Sequence, residues 1–101
     1  SDKFLNENKI KNVLSIVSDY YRISTIDLIS KKRTTKYVFP RQVAMYLSKK
    51  LTKRSLPDIG RRFGGRDHTT VMHAVKRVDT LRSEDPSLNA QIELVESNLK
   101  S

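Results

Sequence analysis

Residues 55–81, SLPDIGRRFGGRDHTTVMHAVKRVDTL, have the pattern of two helices joined by a tight turn. Ser55 and Asp58 have the spacing of a capping box, and the glycine pair at 64–65 is expected to end the short helix that follows this cap. Asp67 is well placed to cap a longer helix. Apolar residues then recur at helical spacing over about four turns, namely Val71, Ala74, Val75, Val78 and Leu81. Together these elements form the helix-turn-helix plan.

Helical signals also precede this stretch. The apolar residues of 10–21 fall at helical spacing, and Ser24 and Asp27 form another capping box ahead of a short second helix. Pro40 suits the first turn of a third helix, whose apolar residues continue to Leu51.

The C-terminal part of the chain predicts one more helix. Asp85-Pro86 breaks the preceding helix, and apolar residues then return at helical spacing. The expected fold class is all-α: a compact helical domain of about five to six helices over residues 10–101, containing a helix-turn-helix and a preceding basic loop. Residues 1–9 are assigned to a candidate linker remnant.

The segment of residues 31–39, KKRTTKYVF, is predicted to be that basic loop. It has no helical period, is rich in β-branched residues, and runs into Pro40, which disfavours helix at Phe39. Tyr37 and Phe39 are expected to pack against the core rather than to stack on bases. The segment therefore offers a flexible, positively charged connection.

The distribution of charge says more than its total of +9. Residues 1–30 carry no net charge, residues 31–82 carry fifteen basic and three acidic side chains, and residues 83–101 have a net charge of −3. Because a solvated helical surface normally mixes both signs, this concentration of positive charge indicates a polyanionic partner. That partner is either a nucleic acid or an anionic membrane surface.

Composition excludes several classes of protein. The chain has no cysteine, which rules out disulfides and thiolate metal sites such as the zinc finger. No apolar run approaches the ~20 residues needed to span a bilayer, and the polar start SDKFLNENK is unlike a signal peptide. A soluble, cytoplasmic protein of one domain is expected.

The first turn of the helix after the glycine pair carries residues suited to reading DNA. The second helix of a helix-turn-helix enters the major groove, and its N-terminal residues meet base edges. A carboxylate can accept from cytosine, threonine methyl groups can contact thymine, and histidine can bond to a base or a phosphate. The predicted base contacts here are Asp67, His68, Thr69 and Thr70. The alternative is that Asp67 is only a helix cap and the other three only a polar helix start.

The basic loop can reach an adjacent minor groove, where narrow A·T-rich segments attract arginine. The alternative is a solvated loop whose lysines neutralise phosphates without reading bases. Further candidates for phosphate contacts are Arg41, Gln42, Lys49, Lys50, Arg61, Arg62, Lys76 and Arg77.

An eleven-residue run, GGRDHTTVMHA at 64–74, closely resembles the signature of the bacterial chromosomal replication initiator DnaA family, in its C-terminal DNA-binding domain. Residues 40–47, PRQVAMYL, and residues 55–60, SLPDIG, are similar to the preceding helices of that family. The resemblance extends from about Ile10 to Leu81 and fades in the last helix. It implies binding to double-stranded DNA at short asymmetric sites of the replication origin, the DnaA boxes.

The resemblance also implies roles for individual residues. In that family an arginine at the position of Arg33 enters the minor groove, and the residues matching 67–70 meet bases and backbone in the major groove. The predicted backbone contacts are Arg41, Gln42, Lys49, Pro57 and Arg66. Thr35 and Phe39 depart from the pattern, because relatives often have arginine at these two positions.

An ATP-binding AAA+ module precedes this domain in the family. The chain shows no glycine-rich phosphate loop ending in Gly-Lys-Ser/Thr, since Gly60 to Gly65 contain no such lysine. We therefore expect a DNA-binding fragment that is not an enzyme and has no cofactor or metal, with ATP bound only in the missing module. Acidic phospholipids and regulatory proteins are further partners expected through the parent protein.

Two other classes of function fit these residues less well. A nuclease would need carboxylates and a metal, but two of the three acidic residues in the basic region, Asp58 and Asp67, are explained as caps. His68 and His73 are five residues apart, on different helix faces, so metal ligation is not expected. A membrane binder would need a basic amphipathic helix, and the first predicted helix has only Lys11 as a base within it.

Overall fold

The computed structural model describes the backbone of residues 2–100 and the side chains of residues 10–99. Within these ranges the fold is all-α, as the sequence predicts, and no strand occurs. The six helices are α1 (Asp2–Tyr21), α2 (Thr25–Leu28), α3 (Thr35–Leu51), α4 (Leu56–Arg62), α5 (His68–Glu84) and α6 (Pro86–Lys100). The helix-turn-helix consists of α4 and α5.

The three predicted helix caps are present. The Oγ of Ser24 accepts a hydrogen bond from the Asp27 amide at 3.0 Å, and the Oγ of Ser55 accepts one from the Asp58 amide at 3.2 Å. Asp67 is the N-cap of α5. Each cap satisfies an amide that a helix N-terminus leaves without an intrahelical partner. Local sequence therefore determines where α2, α4 and α5 begin.

The central helix of the fold is α3, which packs against both α1 and α5. Residues 43–47 of α3 are all buried, so this part of the helix is surrounded by other elements. The core residues contributed by the two neighbouring helices are Ile10, Val13 and Val17 of α1 and Val71, Ala74 and Val78 of α5. The helical spacing read from the sequence thus identifies the buried face of each of these helices.

The predicted last helix is present as α6, and it packs against α1 and α5. Ile92 and Val95 of α6 are fully buried. The Arg82 guanidinium links three helices, because its Nη1 donates to the Tyr46 hydroxyl of α3 at 3.1 Å and pairs with Glu96 of α6. An apolar contact and a half-buried polar network therefore hold α6 in place together.

The predicted basic loop over residues 31–39 is wrong in its second half. α3 begins at Thr35, so the connection between α2 and α3 spans only residues 29–34. Pro40 is the sixth residue of α3 and not part of its first turn.

Packing against the core explains why helix forms here against local preference. Pro40 removes one backbone donor and disfavours helix at the residue before it. It is nonetheless buried, and Tyr37 and Phe39 pack against the core as predicted, with the Phe39 and Tyr21 ring centroids 6.2 Å apart. Full burial of one large apolar side chain contributes about 1.5–3 kcal/mol, so two half-buried rings and the buried proline together offset much of the roughly 3 kcal/mol that an interior proline costs.

The N-terminal helix starts earlier than the sequence predicts. Its helical backbone runs from Asp2 through the stretch assigned to a candidate linker remnant, residues 1–9, of which Ser1 lies outside the described residues. The boundary between linker and domain stays a prediction. Neither α1 nor another helix in the described ranges is long and apolar enough to cross a membrane.

Candidate nucleic-acid interface

Two glycines let the turn between α4 and α5 close tightly. A Cβ on Gly60 would stand 2.1 Å from the Arg66 carbonyl oxygen, so only glycine fits there. Gly64 has a φ of 77°, in the left-handed region that favours glycine, and its Cβ would stand 2.7 Å from the Ile29 carbonyl oxygen. Phe63 is fully buried and anchors the turn in the core. The turn therefore lies close to α4 and to the end of α2.

The N-terminus of α5 presents four consecutive polar side chains to solvent, residues 67–70. The Asp67 carboxylate accepts a hydrogen bond from the Thr69 amide at 3.1 Å, and this bond lowers the pKa of the carboxyl group. His68 lies beside it, with Nδ1 2.9 Å from Asp67 Oδ1. An ionised carboxylate only accepts hydrogen bonds, which suits the amino group of cytosine.

The side of α5 opposite residues 67–70 is apolar and fixes the orientation of the helix. Val71, Ala74 and Val78 are buried, while Val75 and Leu81 of the predicted stripe are half-buried. Because α5 is held by this face, residues 67–70 face away from the core. The structure thus brings the four base-contact candidates of α5 together on one exposed surface.

The loop between α2 and α3, residues 29–34, contains two neighbouring cations in different settings. Lys32 Nζ donates to Asp27 Oδ1 at 2.9 Å and lies 4.8 Å from the centre of the Tyr37 ring. The bond between Lys32 and Asp27 raises the pKa of the lysine and lowers that of the carboxyl group. Arg33 is exposed. Lys32 is therefore held at the protein surface by Asp27, whereas Arg33 is exposed.

Arg33 also lines an open cleft of about 320 Å³ formed by the loop, α3 and α5. Gln42 of α3 and Arg77 of α5 line the same cleft. Thr35 and Phe39, the two positions at which the sequence departs from the family it resembles, are also part of its lining. The cleft therefore collects a base-contact candidate, two phosphate-contact candidates and both unusual positions.

Three of the predicted backbone contacts are accessible to a partner. Lys49 and Pro57 are exposed, and Gln42 is half-buried at the cleft. Lys49 lies in the last turn of α3 with its Nζ 3.5 Å from the Arg54 carbonyl, and Pro57 lies in the first turn of α4. Their contact with phosphates stays a prediction.

Arg41, another predicted backbone contact, is only 5% exposed. Its Nε donates to the Leu28 carbonyl at 2.7 Å, and its Nη2 lies 3.5 Å from the Asp27 carbonyl. Burial lowers the pKa of this guanidinium, and the charge of Arg66 lowers it further, yet arginine stays protonated in proteins. Arg41 therefore binds the last carbonyls of α2 from α3.

Arg66 binds carbonyls next to those that Arg41 binds. Its Nη1 donates to the Ile29 carbonyl at 3.0 Å and to the Phe63 carbonyl, and its Nη2 donates to the Ser30 carbonyl. Burial lowers the pKa of this guanidinium as well. These contacts of both arginines were not predictable from the sequence, because no local pattern shows where a distant carbonyl lies.

Asp58 is a carboxylate in the first turn of α4 that lies close to three arginines. Its oxygens lie 3.1 Å from Arg54 Nη1, 3.3 Å from Arg61 Nη2 and 3.6 Å from Arg62 Nε. Burial raises the pKa of Asp58, but the charges of Arg62 and Arg54 outweigh that effect and lower it. Asp58 thus orients arginines of the basic surface. Within the described part of the chain, no group of three or more His, Asp or Glu side chains could hold a metal ion.

A short helix, a glycine turn and a longer helix with an exposed polar N-terminus, all within a basic region, define a helix-turn-helix DNA-binding domain. Comparison with known proteins identifies the family. The family model described as "Bacterial dnaA protein helix-turn-helix" matches residues 10–78. The chain therefore belongs to the bacterial DnaA family.

Individual relatives agree with this assignment. The chain is 53% identical over 92 residues to the chromosomal replication initiator protein DnaA of Nitrobacter hamburgensis, and 54% identical over 91 residues to that of Roseobacter denitrificans. These matches cover 91% and 90% of this chain but 19% and 20% of the relatives, so the chain spans about a fifth of their length. A crystal structure of a DNA replication initiation factor, 30% identical, matches 93% of this chain and 29% of that one with a TM-score of 0.82.

Proposed function

We propose that this chain binds double-stranded DNA sequence-specifically at DnaA boxes of a replication origin. In this proposal α5 lies in the major groove, and the α2–α3 loop lies in the adjacent minor groove. The observation that carries the proposal is the exposed polar turn of residues 67–70, close to a basic loop in a region of net charge +12. The relatives' name, chromosomal replication initiator, supports the origin as the location of the sites.

Base readout in the major groove belongs to the start of α5. The Asp67 carboxylate accepts a hydrogen bond from cytosine, and the methyl groups of Thr69 and Thr70 contact thymine. His68 donates to a base or to a phosphate. Their place in the first turn supports these roles, because recognition helices present their N-terminal residues to base edges.

Minor-groove readout belongs to Arg33. A guanidinium is planar and weakly hydrated, and a narrow A·T-rich groove has an enhanced negative potential. The exposure of Arg33, beside a lysine that is held by Asp27, supports this role. The domain then reads one end of its site by groove width and the rest by base edges.

Phosphate contacts position the domain and supply most of the salt dependence. Gln42, Lys49 and Pro57 are accessible for this role. The family resemblance also predicts backbone contacts for Arg41 and Arg66, whose guanidinium groups already donate to main-chain carbonyls.

We also propose that this chain is part of a longer protein, as the matching regions of its relatives are. This part of the chain contributes DNA binding without catalysis, cofactor or metal, and ATP is bound by an AAA+ module elsewhere. That longer protein acts in the cytoplasm, with acidic phospholipids and regulatory proteins as further partners. Flotation of the chain with anionic liposomes, in competition with DnaA-box duplex, tests the lipid contact directly.

Binding measurements on matched duplexes test the central proposal. We expect affinity for a DnaA-box duplex to exceed that for a random duplex of equal length by at least ~10³, and to fall linearly with log salt. Selection from random duplexes identifies the preferred site independently. A specificity ratio near one would show that the basic surface binds DNA without reading it.

A further inference from the structure

We infer that Arg66 is a positioning residue that fixes the α2–α3 loop to the turn of the helix-turn-helix. By doing so it sets the distance between the minor-groove contact of Arg33 and the major-groove contacts of α5. This inference rests on the proposed function, because it requires that both grooves are read.

The contacts of Arg66 join two segments that are far apart in the chain. Its guanidinium donates to the carbonyls of Ile29 and Ser30, where the loop begins, and to the carbonyl of Phe63 in the turn. Asp67, the next residue, caps α5. One planar group therefore connects the start of the loop to the start of the recognition helix, and a lysine cannot reproduce its rigid fork of donors.

Other contacts also keep the start of the α2–α3 loop close to the turn between α4 and α5. The backbone of Gly64 approaches the Ile29 carbonyl so closely that a Cβ there would stand 2.7 Å from it. Lys31 Nζ donates to the Gly64 carbonyl at 3.2 Å. Arg41 of α3 also binds the end of α2, through the Leu28 carbonyl. The loop thus starts from a fixed point defined by α3 and by the turn.

The loop is too short for Arg33 to move independently of this point. Arg33 lies three residues after Ser30 and two before Thr35, where α3 begins. An extended chain spans at most ~3.3–3.6 Å per residue, so the Arg33 backbone stays within about 11 Å of the Ser30 carbonyl that Arg66 binds. Stacked bases are about 3.4 Å apart along a strand. A shift of a few ångströms in the anchor would therefore move Arg33 by one base pair.

The experiment compares the parent chain with Arg66→Lys on four duplexes. The first is a DnaA box, and the second is a box whose A·T end is replaced by G·C. The third has one base pair inserted before that end. The fourth has substitutions at the base pairs that α5 is proposed to contact. For the parent we expect each change to reduce affinity by about 5-fold or more. For Arg66→Lys we expect the loss of affinity caused by the G·C end and the loss caused by the insertion to shrink towards one-fold. The loss caused by substituting the base pairs that α5 contacts should remain.

Arg61→Lys is the matched control. Arg61 is an exposed arginine on α4 whose Nη2 lies 3.3 Å from Asp58 Oδ1, and the substitution keeps its charge. Whatever it does to overall affinity, it should leave all three ratios at the parent values. Hydrogen exchange of the loop amides without DNA gives a second readout, since they should exchange faster in Arg66→Lys and not in Arg61→Lys.

Other roles for Arg66 give different results. If it only binds phosphate, lysine replaces it and all three ratios stay at the parent values, which overturns the inference. If it only stabilises the fold, Arg66→Lys unfolds at a lower temperature with unchanged ratios, which also overturns it. If Arg66→Lys does not fold, Arg66→Gln, which is uncharged but keeps an amide donor for one of these carbonyls, is compared on the same duplexes, and unchanged ratios in that variant overturn the inference in the same way.

Failure of the proposed function is distinguishable from these results. If the parent itself does not distinguish the A·T end from the G·C end, minor-groove reading by Arg33 fails, and the inference about Arg66 fails with it. The duplex substituted under α5 still reports on the major groove in that case.

Discussion

The start of α5 and the α2–α3 loop are both exposed and polar, but different interactions hold them. The start of α5 has its own cap in Asp67 and is fixed by the buried face that begins at Val71. The loop has no regular backbone pattern, and its start is fixed by Arg41 and Arg66, from α3 and from the turn. A surface on a helix is thus positioned by residues within one or two turns, whereas a surface on a loop depends on residues distant in the sequence.

The largest expected effect comes from the turn on which both regions depend. In Gly60→Ala the new Cβ would meet the Arg66 carbonyl oxygen at 2.1 Å, so the main chain must move. We expect the free energy of unfolding to fall by about 3 kcal/mol, as for other severe steric changes. Urea denaturation followed by circular dichroism measures this loss.

Gly65→Ala is the control for Gly60→Ala. Gly65 has a φ of 76°, but a Cβ there meets nothing within 4 Å. It should therefore cost only the strain of a left-handed residue, about 1–2 kcal/mol. If Gly65→Ala lowered the free energy of unfolding as much as Gly60→Ala or more, the close approach of α4 to the turn would not explain the effect at Gly60.

The next effect isolates the start of α5. Thr69→Ala and His68→Ala should each weaken binding to a DnaA-box duplex by about 1–3 kcal/mol, and to random duplex by much less. Both residues are exposed opposite the buried face, so the fold should be unchanged. Fluorescence anisotropy on the two duplexes measures the difference, and equal losses on both would reduce these residues to backbone contacts.

A smaller effect isolates the loop. Arg33→Lys should keep most of the non-specific affinity but lose about 1 kcal/mol of preference for A·T pairs at one end of the site, because lysine is a compact, strongly hydrated charge. Titrations on sites with and without that A·T end measure the preference. If Arg33→Lys discriminated the two ends as well as the parent does, Arg33 would not read the minor groove.

Lys49→Ala provides the contrast to Arg33→Lys. Lys49 is exposed at the end of α3, and we expect it to act as a point charge on phosphate. Its removal should weaken binding to all duplexes alike and lower the slope of log affinity against log salt by about one. A change in sequence preference in this variant would contradict the distinction between the two cations.

The smallest effect separates the two roles of Asp67. Asp67→Asn keeps a good N-cap but removes the charge, so specificity at the contacted base pair should change while the fold stays stable at neutral pH. Because the bond from the Thr69 amide lowers the pKa of Asp67, its carboxylate stabilises the fold above the unfolded pKa and loses this effect as pH falls through the folded pKa.

Thermal unfolding of Asp67→Asn at pH 7 and near pH 3, on either side of the usual carboxyl pKa of about 3.9, tests this linkage. The difference in melting temperature between parent and variant should shrink at the lower pH. Asp67→Ala, which also loses the cap, should be less stable than Asp67→Asn at both pH values. Equal stability of the two variants would mean that the cap does not stabilise α5.

Sequence by itself determined the features of this protein that depend on neighbouring residues. Capping boxes at Ser24 and Ser55 and the N-cap at Asp67 predicted where three helices begin, and apolar spacing predicted which faces are buried. The run at 64–74 also indicated the family, which the match over residues 10–78 confirms. These predictions succeed because caps, periodicity and turn glycines act over a few residues.

Only the tertiary structure decided the features that depend on distant contacts. Local preference predicted a loop up to Phe39, but packing of Tyr37, Phe39 and Pro40 against the core extends α3 back to Thr35. Likewise, nothing in the chain near Arg66 shows that its guanidinium meets carbonyls 36 and 37 residues away. Hydrogen bonds and packing of this kind form only after the helices have docked, so the position of the loop is a property of the assembled fold and not of its own residues.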